Sequence, residues 1–520
     1  MNELLLEKNL TRLQILKTIE DKDVELKNIN ISVYRNHSFE HMENMINKFL
    51  LQSNLKASFV YSDYDDSFNF FKLSEKNDLN LIWIDFSRYK NIDINSWFLN
   101  RIKHLKLHSN KPILVYYTGI DELLIDDNNV IIANSNNIEA ELRDLFYDKE
   151  KFEYSGTNLS SKASIRIAQE LGLKYLPSFF LTPIKAIVVD MDNTFYKGVL
   201  GEDGFENIVP NIEFQKLLKI LKNKGVLLSI ASKNEQNDVK KMFEKRKDFI
   251  LKWNDFSSYN ISWESKEKAI YNTVRQFNIG IDSILFIDDN IGEINFVKNC
   301  YPQIKTLVAD DNLAYKFNLY PLLERYSTSK EDILRKNDID ANQKREILSK
   351  TLDKESYFKS LEMELVYSMN NPQNFERAIQ LLNKTNQFIF SYKRYDKDSI
   401  TKNINILTIS LKDKLSDSGI IGIIVAESKN NKLIIDETVI SCRALGRNIE
   451  NIMLNNAFIY LQKQLHTSNI TEIEFKIGPR NNPAKNWLET YSGINIEQDC
   501  SLRIQDKNVI TNDYIKEVYL

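Results

Sequence analysis

The sequence predicts an α/β protein of three domains. Through the first 320 residues, apolar runs of strand length alternate with helical stretches, the pattern of parallel sheets joined by crossover helices. After residue 351 several strands follow one another before the next helix, an α+β order. At roughly 150 residues per domain, 520 residues allow about three. The expected boundaries are 1–180 and 181–325 for two α/β domains, 326–350 for a charged, solvated helical linker, and 351–520 for the α+β domain.

Each element follows from its own residues. INISVYRN (29–36), KASFVYSD (56–63), LNLIWIDF (79–86) and KPILVYYTG (111–119) are apolar runs suited to buried parallel strands. SFEHMENMINKFLLQ (38–52) and SWFLNRIKHLKLH (96–108) are the helices between them, giving a doubly wound sheet. A second unit opens with the strand KAIVVD and continues through a helix at 211–225, a strand in VLLSIASKN, a helix at 266–280 and a strand in SILFIDDN. In the last domain the strand MELVYSM precedes a helix expected over FERAIQLLNKTNQF (375–388). Strands in INILTISLKD, GIIGIIVAES and KLIIDETVIS follow, then a helix at 448–465 and the strand TEIEFKIG.

Composition narrows the function. Lys plus Arg number 69 against 72 Asp plus Glu, a net charge of -3, so no basic excess marks a nucleic-acid or anionic-membrane binder. With 42% hydrophobic residues the chain has ample core. Three cysteines cannot build a disulfide framework, the N-terminus lacks an apolar signal core, and no apolar run reaches 18 residues. A soluble, cytoplasmic protein is expected, with its oligomeric state left open. His37/His41 and His104/His108 have i,i+4 spacing without the glutamate of a zinc-hydrolase helix, so they read as solvated or half-buried helix faces.

The chemistry concentrates after the strand AIVVD. Asp190 and Asp192 are two residues apart, and in extended chain such residues point the same way, at the carboxyl end where open α/β sheets bind ligands. Two close carboxylates repel unless a cation or a shared proton relieves them; Mg²⁺ would do so and would also neutralise a phosphoryl group. One carboxylate can attack phosphorus while the other moves protons. In order along the chain come Ser232 after VLLSIA, Lys266 at a helix start, and Asp288-Asp289 after SILFI. Three of the 14 glycines, Gly198, Gly201 and Gly204, cluster just behind the aspartates and leave no room for a large cap.

This set resembles the haloacid dehalogenase superfamily and, more closely, its FkbH-like family (subfamily IIIC). DMDNTFYKGVLGEDG (190–204), GVLLSIASKNEQNDV, ISWESK, FNIGIDSILFIDDN, KTNQF and SCRALGR carry the resemblance over roughly 185–490. It implies a flavodoxin- or SGNH-like first domain, a Rossmannoid phosphotransferase core and a GNAT-like C-terminal domain. It further implies Asp190 as nucleophile and Asp192 as acid/base offering Mg²⁺ a backbone carbonyl. Thr194, Ser232, Lys233, Asn234 and Lys266 would hold phosphate, and Asp190, Asp192, Asp288 and Asp289 the metal. The substrate implied is a glyceryl unit from 1,3-bisphosphoglycerate, a small phosphorylated three-carbon acid, loaded on an acyl-carrier-protein thiol. The sequence departs from the family at Ala231, often Cys, at Tyr196-Lys197-Gly198, usually Trp-Gly-Gly, and at Asn448, often Gly. The Ala231 departure weighs against an acyl thioester there.

Arg443, Gly446, Arg447 and Asn448 resemble the GNAT loop that holds the pyrophosphate of CoA or the phosphate of a phosphopantetheine arm at a helix N-terminus. By itself R-x-x-G-R-N is equally an ordinary strand–helix turn. Cys442 is a thiol candidate, though a small buried cysteine filling core explains it better. The first domain lacks a Gly-Asp-Ser nucleophile, Asp85-Phe-Ser-Arg88 reads as a loop, and a non-catalytic docking or structural role is expected. Two rivals remain: a plain phosphatase of a small phosphorylated acid or sugar, and a CoA- or carrier-dependent acyltransferase working through the C-terminal domain.

Overall fold

A computed structural model describes the chain except residues 1–2, 19–24, 71–75, 126, 128–129, 149, 151–154, 325–340, 342–343, 346–347, 350, 386, 396–403, 442–443, 446, 448, 479–480 and 506–507. The chain divides into two compact units, Met1–Thr273 with Gly280–Thr328, and Ser329–Leu520 with Val274–Ile279. Among the described residues no helix is long and apolar enough to cross a membrane.

The first unit carries two five-stranded parallel sheets. β1 (Lys27–Arg35), β2 (Leu55–Tyr64), β3 (Leu79–Asp85), β4 (Ile113–Thr118) and β5 (Val130–Asn134) form the first, in the order β2-β1-β3-β4-β5. All seven residues of β3 are buried, as a central strand covered on both faces demands. The second sheet comprises β6 (Ala186–Val189), β9 (Leu227–Ser232), β10 (Ser258–Ile261), β11 (Ile284–Asp288) and β12 (Lys305–Val308), ordered β10-β9-β6-β11-β12. Between β6 and the helix Ile212–Asn223 the chain makes only a small hairpin, β7 (Tyr196–Lys197) with β8 (Val209–Pro210), around the helix Leu200–Asn207. Gly198 sits at φ +105° and Gly204 at +71°, which explains the glycines there.

One apolar core runs through both sheets, from Leu5 and Leu6 to Leu319 and Leu323. Polar ties reinforce it: the buried Gln169 amide donates to Leu5 and Glu7 carbonyls, and Tyr315 donates to Gln169 Oε1 at 2.7 Å. Lys316, buried, pairs with Glu7 and Asp310 at 2.7 and 2.6 Å.

The second unit holds an eight-stranded sheet of β13 (Met363–Met369), β14 (Phe388–Ile389), β15 (Asn405–Lys412), β16 (Asp417–Lys429), β17 (Lys432–Ile440), β18 (Ile470–Phe475), β19 (Cys500–Gln505) and β20 (Ile515–Tyr519). β17 runs parallel to β18, and β13 to β20; the remaining pairs are antiparallel. The helix Phe375–Lys384 covers one face, and Glu450–Leu465 with Asn482–Ser492 the other.

Three expectations are corrected. The helix expected to Phe388 stops at Lys384, and Phe388–Ile389 pairs with β17. Phe388 stands seven residues after Leu381 and so continues the helical period, but its ring is buried near Phe390 and Trp487 on the sheet. The linker is not wholly solvated: Ala341 and Arg345 are buried, and Arg345 donates to Asp413 and Ser416 in the hairpin between β15 and β16. His37 is not on a helix face either. It precedes the helix Glu40–Leu50, is buried, stacks on Trp83 at 4.5 Å and meets Thr157 Oγ1 at 3.3 Å.

Candidate active site

Three adjacent parallel strands deliver the polar groups. Val189 of β6 is in register with Ile230 of β9 and Ile287 of β11, so Asp190, Ser232 and Asp288 emerge side by side at the carboxyl end. All three are buried, as is Lys266, the first residue of the helix Lys266–Phe277. The Lys266 ammonium pairs with Asp190 Oδ1, stands 3.3 Å from Asp288 Oδ2 and donates to the Ala231 carbonyl at 2.6 Å.

One lysine faces a surplus of carboxylates. Carboxylate oxygens of Asp190, Asp288 and Asp289 lie within 4.8 Å of one another. Burial pushes the Asp190 carboxyl up to about 7, Lys266 opposing and Asp288 adding to the rise. Asp288 is raised as well, chiefly by burial. Burial alone would lower the Lys266 pKa, but Asp190 and Asp288 beside it carry the balance upward. Three clustered oxygen donors without histidine or cysteine suit a hard divalent cation such as Mg²⁺. When bound, such an ion would neutralise charge on a phosphoryl group and hold it near the carboxylates. Asp190, Asp288 and Asp289 are the residues that would hold it.

The Asp192 carboxylate stands apart from this cluster. β6 ends at Val189 and the chain turns through 192–195, with Asn193 at φ +50°, so strand alternation does not extend to it. Instead it accepts from Tyr196 Oη at 2.7 Å, the Leu200 amide at 2.9 Å and Asn234 Nδ2 at 2.8 Å. Asn234 also donates to Ser232 Oγ at 2.9 Å, joining two of the expected phosphate-handling positions. The Thr194 hydroxyl is fully buried and has no hydrogen-bond partner among the described residues. Lys233, exposed, pairs with Glu293 on the helix Ile291–Cys300 rather than with the carboxylate cluster.

Tyr196 was legible only as a departure from a family pattern, yet it fixes Asp192; burial and the neighbouring Asp192 hold its phenol protonated. Also unforeseen is a cavity of about 200 Å³ whose lining includes Ser232 and Lys266 along with Asn260, Ser262, Ser265 and Asn272.

The C-terminal loop gives less. Cys442, Arg443, Gly446 and Asn448 lie outside the described residues. Arg447 is buried with Nη1 3.4 Å from Asp413 Oδ2, the same oxygen that Arg345 engages at 2.6 Å. In the first sheet, Asp85 caps its own turn by accepting from the Ser87 amide, and Arg88 pairs with Asp66.

Fold and site together make this a multidomain α/β protein with an acidic, cation-fitting centre at the end of a parallel sheet. No family model matches the chain, and no curated protein sequence does. Among solved structures it is similar to the N-terminal part of BF1531 from Bacteroides fragilis, which contains a phosphatase domain complexed with Mg. That likeness is 22% identical over 61% of this chain and 100% of the other, with a TM-score of 0.48. The ribosomal-protein-S18-alanine N-acetyltransferase of Escherichia coli is similar at 9% identity over 24% of this chain and 75% of its own, with a TM-score of 0.19.

Proposed function

We propose that the chain is a Mg²⁺-dependent phosphotransferase of the haloacid dehalogenase kind, taking a glyceryl unit from 1,3-bisphosphoglycerate, removing its phosphate and loading it on an acyl-carrier-protein thiol. One observation carries the phosphotransferase half: the buried Asp190 carboxylate is held by Lys266 beside Asp288 and Asp289. In this reading Asp190 attacks the phosphomonoester phosphorus and the bond to the substrate oxygen breaks. Asp192 gives the leaving alkoxide its proton, then takes one from the water that hydrolyses the aspartyl-phosphate. Lys266, Ser232 and Thr194 bind the phosphoryl oxygens.

Attack on the acyl-phosphate instead would release a free carboxylate and lose the activation, so the carbonyl must be captured by a thiol. The C-terminal domain, with Arg443, Gly446, Arg447 and Asn448, is proposed to receive the phosphopantetheine arm. The inward placement of Arg447 on Asp413 favours a second reading, a plain phosphatase. Incubation with 1,3-bisphosphoglycerate, Mg²⁺ and a phosphopantetheinylated carrier decides between them. A glyceryl mass increment on the carrier supports loading; an unmodified carrier with brisk phosphate release supports the phosphatase. An acetyl increment from acetyl-CoA would favour an acyltransferase.

A further inference from the structure

Asp192 is held by donors on both carboxylate oxygens. Oδ1 accepts from the Tyr196 hydroxyl at 2.7 Å and the Leu200 amide at 2.9 Å, and Oδ2 from Asn234 Nδ2 at 2.8 Å. A carboxylate offers about four acceptor positions, two on each oxygen. Two donors fill Oδ1, which leaves the open position on Oδ2, beside the amide that also donates to Ser232 Oγ at 2.9 Å. The Tyr196 hydroxyl reaches Asp192 from a fixed ring. That ring is fully buried and meets Phe249 edge-to-face at 6.1 Å. Its backbone is pinned as well: the Tyr196 amide donates to the Met191 carbonyl, and Gly198 and Asn193 each donate to the other.

Resting on the phosphatase reading above, we infer that Tyr196 is a positioning residue for the second half of the reaction: its hydroxyl locks Asp192 Oδ1, so that Oδ2 takes the proton of the water that hydrolyses the aspartyl-phosphate. In that step the water oxygen bonds to phosphorus, the bond from phosphorus to Asp190 Oδ breaks, and the proton passes to Asp192 Oδ2 and then to solvent. A carboxylate that turns about its side-chain bonds spends less time aimed at that water, and the step slows in proportion. The first half is different when the leaving group is para-nitrophenolate. That anion is stable enough to depart without a proton, so attack by Asp190 needs nothing from Asp192. Loss of the Tyr196 hydroxyl therefore separates the two halves, which general damage to the fold would slow together.

Rapid-quench kinetics of the full chain with para-nitrophenyl phosphate and Mg²⁺ measure each half. In Tyr196→Phe the first release of para-nitrophenol should keep its rate constant within about twofold, while hydrolysis of the phosphorylated chain slows about tenfold or more. The value of kcat/KM, set by the first half, should stay within about twofold of wild type. Intact mass spectrometry of acid-quenched samples should show more phosphorylated chain in the variant than in wild type. Leu200→Pro removes the other donor to Oδ1 at the first helical position, where proline fits, after Val199 in extended backbone (φ -117°, ψ 116°). It should separate the halves in the same direction, and it supplies the test if Tyr196→Phe does not fold. Equal slowing of both halves, or hydrolysis within about twofold of wild type, overturns the inference, while wild-type turnover leaves the phosphatase reading standing. No para-nitrophenol from the wild-type chain refutes that reading, and this one with it.

Discussion

Asp190→Asn should remove phosphate release and at the same time make the metal-free chain more stable at alkaline pH. The carboxyl titrates at about 7 in the fold and near 3.8 as an unperturbed group, because burial, seconded by Asp288, outweighs Lys266. The sign follows from where the protons sit. Below 3.8 both folded and unfolded chains hold the proton and nothing is lost. Between 3.8 and 7 only the unfolded chain releases it, so stability falls with rising pH and levels above 7. At 1.36 kcal/mol per pH unit the ceiling is about 4 kcal/mol, and coupling to Asp288 makes half of that a fair lower bound. Asparagine keeps the shape and lacks the charge, so the variant escapes this loss. Urea unfolding with EDTA at pH 5 and pH 8, followed by tryptophan fluorescence, measures it; Trp83, Trp97, Trp253 and Trp263 all lie in the first unit. The variant should gain on wild type by about 2–4 kcal/mol more at pH 8 than at a pH near 3.8, with about two-fifths of that gap open by pH 5. Turnover should drop by about 10³-fold or more, since an anionic nucleophile is gone. A variant less stable than wild type at pH 8, or a gap that does not grow with pH, would refute the charge account.

Further consequences touch other residues. Thr194→Val replaces a buried hydroxyl without a partner by a methyl, so stability should hold or rise by about 1 kcal/mol while phosphate release falls about tenfold; wild-type turnover would remove Thr194 from the phosphate site. His37, whose pKa burial lowers to about 3, contributes stability above pH 6.5 that is lost as pH falls; about 2 kcal/mol should go by pH 5, and His37→Gln should flatten that slope in acid titrations. Arg345→Ala leaves Asp413, fully buried, with a weaker partner in Arg447 at 3.4 Å, and should cost the second unit about 3 kcal/mol by calorimetry.

Much of the fold was readable because parallel strands buried on both faces are mostly apolar, as AIVV is throughout and LNLIWID is apart from Asn80 and Asp85. The placement of Asp190, Ser232, Lys266 and Asp288 was readable for a related reason: each follows an apolar run or opens a helix, and sheet order does the rest. What escaped depends on long-range contacts. Tyr196 to Asp192, Lys233 to Glu293 and Arg345 to Asp413 join residues whose side chains carry no local mark of their partners. Phe388 shows the opposite failure: its helical spacing was real, but pairing with β17 and burial near Trp487 outweighed propensity. His37 looked like a helix-face residue because i,i+4 spacing to His41 says nothing of where a helix begins.

The central claim is that Asp190 becomes phosphorylated in a Mg²⁺-dependent reaction. Quenching the chain with acid during turnover of para-nitrophenyl phosphate and reducing it with borohydride converts an aspartyl-phosphate to homoserine, which peptide mass spectrometry locates. The account predicts homoserine at position 190, in samples with Mg²⁺ and not after EDTA. Phosphate release with Asp190 unreduced, or the modification at another residue, would contradict it.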